Sequence, residues 1–132
     1  MTVVAAPTWL YHAGALAVVA TAGMAMPAPA DATQSLTYEV ISSDIGRVDV
    51  EYVDRHGREL LIGVSLPWRL DLPLGDGSDP LIPHAQLRAD WRTIAAPSRW
   101  VTVKISHAGG LLCQSTLDVG NVTCYGNTPH VS

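Results

Sequence analysis

Apolar and polar residues alternate along most of the chain beyond residue 35, which is the pattern of strands with one buried face. The longest runs of this kind are 36–42, 48–54, 59–65 and 100–106, and shorter ones occupy 68–72, 111–117 and 122–125. Segments rich in Gly, Pro, Asp and Asn separate them and predict turns. The pattern predicts a mostly β protein, a small antiparallel β-sandwich of the immunoglobulin-like (Ig-like) kind, preceded by an N-terminal apolar helix.

One stretch of the predicted domain, residues 83–96, fits two patterns. The helical interpretation places on one face Leu87, Trp91, Ile94 and Ala95, and the strand interpretation places on one face Leu87, Ala89, Trp91 and Thr93. We favour a strand because the neighbouring segments are strands.

The N-terminal segment has a different character. Every charged side chain lies at or beyond Asp31, and residues 3–26 are almost continuously apolar. A cleaved signal peptide would use this stretch with the small residues Ala28, Ala30 and Ala32 as its cleavage region. A retained membrane anchor needs about twenty apolar residues, which the stretch also supplies. The segment therefore predicts export, and a buried core helix is the third interpretation.

Charge and size narrow the function classes. The formal net charge is −4, only 15% of residues are charged, and Lys and Arg form no cluster. Nucleic-acid binding depends on clustered cations, so this composition argues against it, and it disfavours an anionic membrane surface for the same reason. A domain of about a hundred residues has a thin stability margin, so we expect a covalent staple, an anchor or a partner.

Cys113 and Cys124 are the only cysteines. If the last hairpin turns around residues 118–119, the two lie opposite each other on neighbouring strands, where a disulfide can form. An exported domain meets oxidants, so we predict the disulfide, and closing so short a loop contributes roughly 2–3 kcal/mol. Two free buried thiols are the alternative. No CxxC motif or nearby His pair accompanies the cysteines, so we predict no metal site.

The sequence contains no catalytic motif that we recognise: no Gly-x-Ser-x-Gly, no phosphate loop and no His-Glu-x-x-His. Asp71, Asp76 and Asp79 lack the spacing of a calcium loop, so we interpret them as parts of a solvated turn. The carboxylates between residues 44 and 54 single out no catalytic pair. We therefore predict a protein that is not an enzyme and uses no cofactor.

Three tryptophans lie in the predicted domain, and core packing is the first interpretation for Trp68, Trp91 and Trp100. A second interpretation concerns the segment Leu66-Pro67-Trp68. Because Pro67 cannot donate to a strand ladder, it belongs at a sheet edge or at the start of a strand, and the edge is the position that this interpretation uses. There Trp68 could contact a partner or an acyl chain.

Three passages together resemble the mycobacterial membrane protein small (MmpS) family in order and spacing. They are Tyr38-Glu39-Val40, the run 48–54 leading into His56-Gly57, and Leu66-Pro67-Trp68. The late Cys124 also corresponds, and the resemblance covers most of residues 36–125. It implies an extracytoplasmic β-sandwich that assists an MmpL-type transporter of the resistance-nodulation-division class, which exports lipids or siderophores.

The chain departs from that family at one cysteine. The family's first Cys belongs to the strand that here contains Val103, whereas this chain has Cys113 one strand later. The resemblance therefore implies a disulfide that is placed differently in this chain.

The predicted organisation is a signal peptide or anchor at 1–30, a linker at 31–35, the sandwich domain at 36–127 and a tail at 128–132. The predicted function is that of an accessory protein to the exporter, at the cell membrane and facing the periplasm. The alternative is a free protein, secreted after signal cleavage, that binds an apolar ligand or a protein partner.

Overall fold

Strands dominate the structure, a computed structural model that describes residues 35–76, 78–127 and 130–132. In chain order the elements are β1 (Ser35–Ile41), β2 (Arg47–Asp54), β3 (Gly57–Ser65), β4 (Trp68–Pro73), α1 (Leu81–His84), β5 (Gln86–Asp90), β6 (Val101–His107), β7 (Gly110–Leu117), β8 (Asn121–Tyr125) and β9 (His130–Val131). The predicted export segment and its cleavage region lie outside the described residues. Within them, no helix is long and apolar enough to be a candidate membrane span.

The strands form two sheets. The first sheet has the order β4-β1-β6-β7-β9, and the second has the order β3-β2-β5-β8. All neighbours are antiparallel except β7 and β9, which run parallel over two residue pairs. One buried cluster takes residues from both sheets, so the sheets pack face to face. The predicted mostly β sandwich is confirmed.

The alternating pattern accounts for the core. Along β1, Leu36, Tyr38 and Val40 are fully buried, and their neighbours Thr37 and Glu39 are only half-buried. Strand β6 repeats this alternation, and β2, β5 and β8 supply the opposing layer. Each strand therefore contributes one apolar face, and burial of those faces is the main force that holds the sheets together.

The turns and loops of the sandwich lie at its two ends, because neighbouring strands run in opposite directions. Strand β1 starts at Ser35, the last residue of the predicted linker, which is buried and paired with Pro73. We call this end the proximal end. Six residues later, roughly 20 Å away at about 3.3 Å per residue, β1 ends at Ile41 at the distal end, next to Val40, which pairs with Trp68.

The ambiguous stretch divides into three parts. Helix α1 comes first, β5 covers only Gln86–Asp90, and a loop follows up to residue 100. Leu87 and Ala89 face the core, as the strand interpretation predicts, but Thr93 lies exposed in the loop. Trp91 is fully buried although it lies beyond β5, and its indole N–H donates to the carbonyl of Pro97 at 3.3 Å.

Candidate functional site

The disulfide joins the two sheets. Cys113 and Cys124 are bonded, their Cα atoms are 5.8 Å apart, and both side chains are buried. The predicted bond is confirmed, but the predicted hairpin is wrong. Strand β7 belongs to the first sheet, whereas β8 pairs with β5 in the second. The turn after β7 carries the chain across the sandwich, so the bond ties one layer to the other.

Position 103 lies close to the same bond. The sulfur of Cys124 is 3.9 Å from the carbonyl oxygen of Val103, and Val103 is fully buried on β6. Strands β6 and β7 are neighbours in the first sheet. A cysteine at position 103 and the one at position 113 would therefore both lie in the sheet that faces β8.

An aromatic row connects the passages that resemble MmpS. The ring centroid of Tyr52 is 5.8 Å from that of Tyr38 and 5.7 Å from that of Trp68. The Tyr38 hydroxyl donates to the carbonyl of Val53 at 2.6 Å and accepts the N–H of Gln86 at 3.3 Å. These bonds run from the first sheet to the second, and burial raises the pKa of Tyr38 to about 12. The row is thus a polar and aromatic tie between the layers.

The segment Leu66-Pro67-Trp68 lies at the distal end, on the way from β3 to β4. Trp68 is half-buried and packs against the core, while Pro67 is exposed. The N–H of Leu66 donates to the carbonyl of Gly46 at 2.8 Å, which fixes the crossing between the sheets. Strand β4 is an edge strand, as the position of Pro67 predicts. A contact of this segment with a partner stays a prediction.

Trp100 is the exposed tryptophan of the described domain, with 52% of its surface accessible. Its backbone is held on both sides. Its N–H donates to the carboxylate of Asp44 at 2.8 Å, and its carbonyl accepts the hydroxyl of Ser42 at 2.7 Å. The Ser42 oxygen also accepts the N–H groups of Asp44 and Ile45. Sequence reasoning missed this arrangement, since Ser and Asp in a turn indicate local bonds but not a partner 56 residues away.

Other exposed apolar side chains share the distal end with Trp100. Leu117 pairs with Val101, which directly follows Trp100 in the chain. Val119 lies in the turn after Leu117. We define the distal patch as four residues with exposures of 41–59%: Ile94, Trp100, Leu117 and Val119. The loop that carries Ile94 and Trp100 is tied to this turn, because the N–H of Trp91 donates to the carbonyl of Gly120 at 2.9 Å.

A shallow cleft of about 400 Å³ lies on the outer face of the second sheet. Its charged groups neutralise one another. Glu51 lies 3.5 Å from Arg58 and 4.0 Å from Arg88, and Asp90 pairs with Arg88 at 3.2 Å and Arg92 at 2.5 Å. The Arg92 guanidinium lowers the pKa of Asp90. Glu51 and Asp90 thus form a ladder of ion pairs with arginines across the outer face of the second sheet.

A β-bulge shapes the edge of that cleft. Gly63 has φ +64°, its N–H donates to Asp49 at 2.8 Å, and its carbonyl accepts the Arg47 guanidinium at 3.2 Å. The pairing between β2 and β3 shifts by one residue there. Leu60 and Ile62 share the exposed outer face ahead of the bulge, and beyond it Val64 pairs with Val48 and packs against the core. A Gly within an apolar strand was the sequence signal for this bulge.

The three aspartates of the 71–79 segment do not act together. Asp71 accepts the Thr37 hydroxyl, and Asp76 accepts the hydroxyl and N–H of Ser78. Asp79 contradicts the prediction of a solvated turn, because its side chain is only 5% exposed and pairs with Arg55.

Asp79 also accepts the N–H groups of Gly75 and Leu81 at 2.9 and 3.0 Å. The Arg55 bond, followed by these two, holds the pKa of Asp79 well below its usual value. Its role is to anchor the loop ahead of α1. In the part of the chain that the structure describes, no group of three His, Cys, Asp or Glu side chains is arranged to hold a metal ion.

No protein-family model and no curated protein sequence matches this chain.

Proposed function

We propose that the protein is a non-enzymatic extracytoplasmic accessory protein of an MmpL-type exporter of lipids or siderophores. One observation carries the proposal: the three passages that resemble MmpS each contribute a ring to the aromatic row of Tyr38, Tyr52 and Trp68. Residues that are far apart in the sequence thus form one physical unit. A resemblance whose parts meet in space is better supported than one spread over unrelated surfaces.

The inter-sheet disulfide supports the compartment in this proposal. A fully buried bond between layers is a structural disulfide, and such bonds persist in oxidising compartments. The apolar segment at 1–30 is, in the proposal, a helix that holds the Ig-like domain at the membrane on its periplasmic side. The sandwich would then act by contact rather than by catalysis.

A free secreted binding protein is the second candidate. The cleft on the second sheet favours it, because the exposed Leu60 and Ile62 form an apolar wall beside a space the size of a small ligand. The two candidates differ at the N-terminus. Mass spectrometry of the native protein separates them, since a new N-terminus near Ala28, Ala30 or Ala32 indicates secretion and an intact one indicates an anchor.

The accessory function is tested by co-purification. The full chain with a C-terminal affinity tag is produced in its own cells, and membranes are solubilised in mild detergent. We expect mass spectrometry to find a resistance-nodulation-division transporter enriched at least tenfold over a control. The control carries residues 1–34 fused to an unrelated β domain, which reveals nonspecific adhesion of the apolar segment. Recovery of the protein from the cytosol with both thiols reduced, or from membranes with no such transporter, would contradict the proposal.

A further inference from the structure

The start of β1 fixes the point at which the preceding chain joins the sandwich. Ser35 is buried and pairs with Pro73 of β4, and its carbonyl accepts the N–H of Ala108 at 3.5 Å. Because β1 lies between β4 and β6, the chain ahead of residue 35 leaves the first sheet between two neighbouring strands at the proximal end. Ala108 belongs to the turn between β6 and β7, so that turn lies directly beside the exit point.

The turn between β6 and β7 carries no charged side chain. We define the hairpin tip as residues 108–111, which read Ala-Gly-Gly-Leu and are all exposed, with Leu111 at 42%. No Asp, Glu, Lys or Arg occurs from residue 105 to residue 117. Other proximal loops expose charges, such as Arg55 after β2 and Asp76 ahead of α1. An exposed leucine among small uncharged residues can enter a layer of neutral lipid headgroups without removing water from a charge.

The length of the preceding chain limits how far the proximal end can stand from a bilayer. In the proposed anchored protein, the apolar stretch 3–26 crosses the membrane and residues 27–34 connect it to the sandwich. Those connecting residues reach at most about 28 Å when fully extended, and a headgroup layer of about 6 Å takes up part of that reach. Ser35 therefore stands at most roughly 22 Å above the headgroups, which is close to the length of β1. At any shorter extension the sandwich has no room to turn its distal end toward the bilayer.

Tethering also lowers the affinity that a membrane contact of this domain needs. An anchor turns contact with its own bilayer into an intramolecular event, whose effective concentration is set by the length of the connecting chain. One exposed leucine would not bring a free domain to a membrane, but it is enough to bias how an anchored domain stands. The contact uses no cation, so it needs no anionic lipid.

We propose that the hairpin tip rests on the headgroup layer of the bilayer that holds the anchor, with the Leu111 side chain inserted among neutral lipid headgroups. This inference rests on the proposed function, from which it takes the retained anchor. The position of the tip beside the exit point at Ser35 identifies lipid as its occupant. The sandwich then stands with its distal end turned away from the membrane.

The test uses the full chain reconstituted into phosphatidylcholine vesicles, with the photoreactive residue p-benzoyl-phenylalanine placed at one position at a time. Position 111 is compared with position 117, since Leu111 and Leu117 are 42% and 41% exposed at opposite ends of β7. A third form carries the probe at position 111 and an insertion of about twelve Gly and Ser residues after residue 32, which lengthens the connecting chain. After irradiation, mass spectrometry measures the lipid adduct at each position. A non-reducing gel checks in every form that the disulfide has formed.

We expect roughly fivefold more lipid adduct at position 111 than at position 117, and the insertion should lower the adduct at position 111 several-fold. Equal adducts at the two positions, or none at either, overturn the inference and leave the proposed function standing. In membranes of its own cells, a cross-link from position 111 to a protein in place of lipid also overturns it. A full chain that does not stay in the vesicles has no anchor, which refutes both. Expected adducts together with a wild type that recovers no transporter keep the inference and refute the exporter as partner.

Discussion

Removal of the inter-sheet disulfide should cost this protein much of its stability. Cys113 and Cys124 are 11 residues apart, and the entropy of closing a loop of about that length is about 9 cal/mol/K, or about 3 kcal/mol at 25 °C. Because the bond also joins the two layers, its loss removes a constraint that no strand ladder replaces. A domain of this size has a total stability of only about 5–15 kcal/mol.

The measurement is urea unfolding of the full chain in mild detergent, with the wild type compared to Cys113→Ala/Cys124→Ala. Fluorescence of the fully buried Trp91 reports on the core. We expect the double variant to lose about 3 kcal/mol and to melt roughly 12 °C or more below the wild type. The wild type should resist reductant while folded, since both sulfurs are buried. A loss below about 1 kcal/mol would refute the reasoning and show that the sheets need no covalent tie.

Three further predictions concern single side chains. Tyr38→Phe leaves a carbonyl and an N–H of the second sheet without their hydroxyl partner, so we expect about 1–3 kcal/mol of destabilisation in urea; an unchanged midpoint would contradict this. The pKa of the Asp79 carboxylate is lowered from its ordinary value of 3.8. The ionised carboxylate therefore contributes its full stabilisation of the fold above pH 3.8, and this stabilisation declines as the pH falls further. Asp79→Asn should therefore lower the melting temperature at pH 7, and the difference in melting temperature between this variant and the wild type should shrink below about pH 4. A difference that stays constant with pH would argue against this role. A side chain at Gly126 would overlap the carbonyl of Ile82 and the methyl of Ala85, so Gly126→Ala should cost about 1–3 kcal/mol, while Gly46→Ala, with open space around it, should be nearly neutral.

Local patterns were enough to predict most strands. The alternation in 48–54 and 100–106 corresponds to β2 and β6 within one or two residues, because burying one face of a strand imposes a period of two on its own residues. The turn at Gly57 was also predictable, since its φ of +115° favours glycine. These features depend on neighbours in the sequence.

Features that depend on partners distant in the sequence were not predictable. The disulfide was expected within a hairpin, but β8 pairs with β5 instead of β7, and no short pattern encodes that choice. Helix α1 has only four residues and contains Pro83, so it shows no helical spacing of apolar residues from which it could be predicted. The backbone of Trp100 is held by Asp44 and Ser42, and the buried Asp79 is paired with Arg55, and these partners are all more than 20 residues away in the sequence.

The bulge at Gly63 has a consequence for how molecules of this protein meet at high concentration. Strand β3 is an edge, and an open edge with apolar side chains is a template for intermolecular sheet growth. The Arg47 guanidinium donates a hydrogen bond to the carbonyl of Gly63, and the shift in register interrupts the row of main-chain groups at that point. An added strand could pair in regular register only with residues 57–62, ahead of the bulge, so the bulge limits the length of any intermolecular sheet that starts beside Leu60 and Ile62.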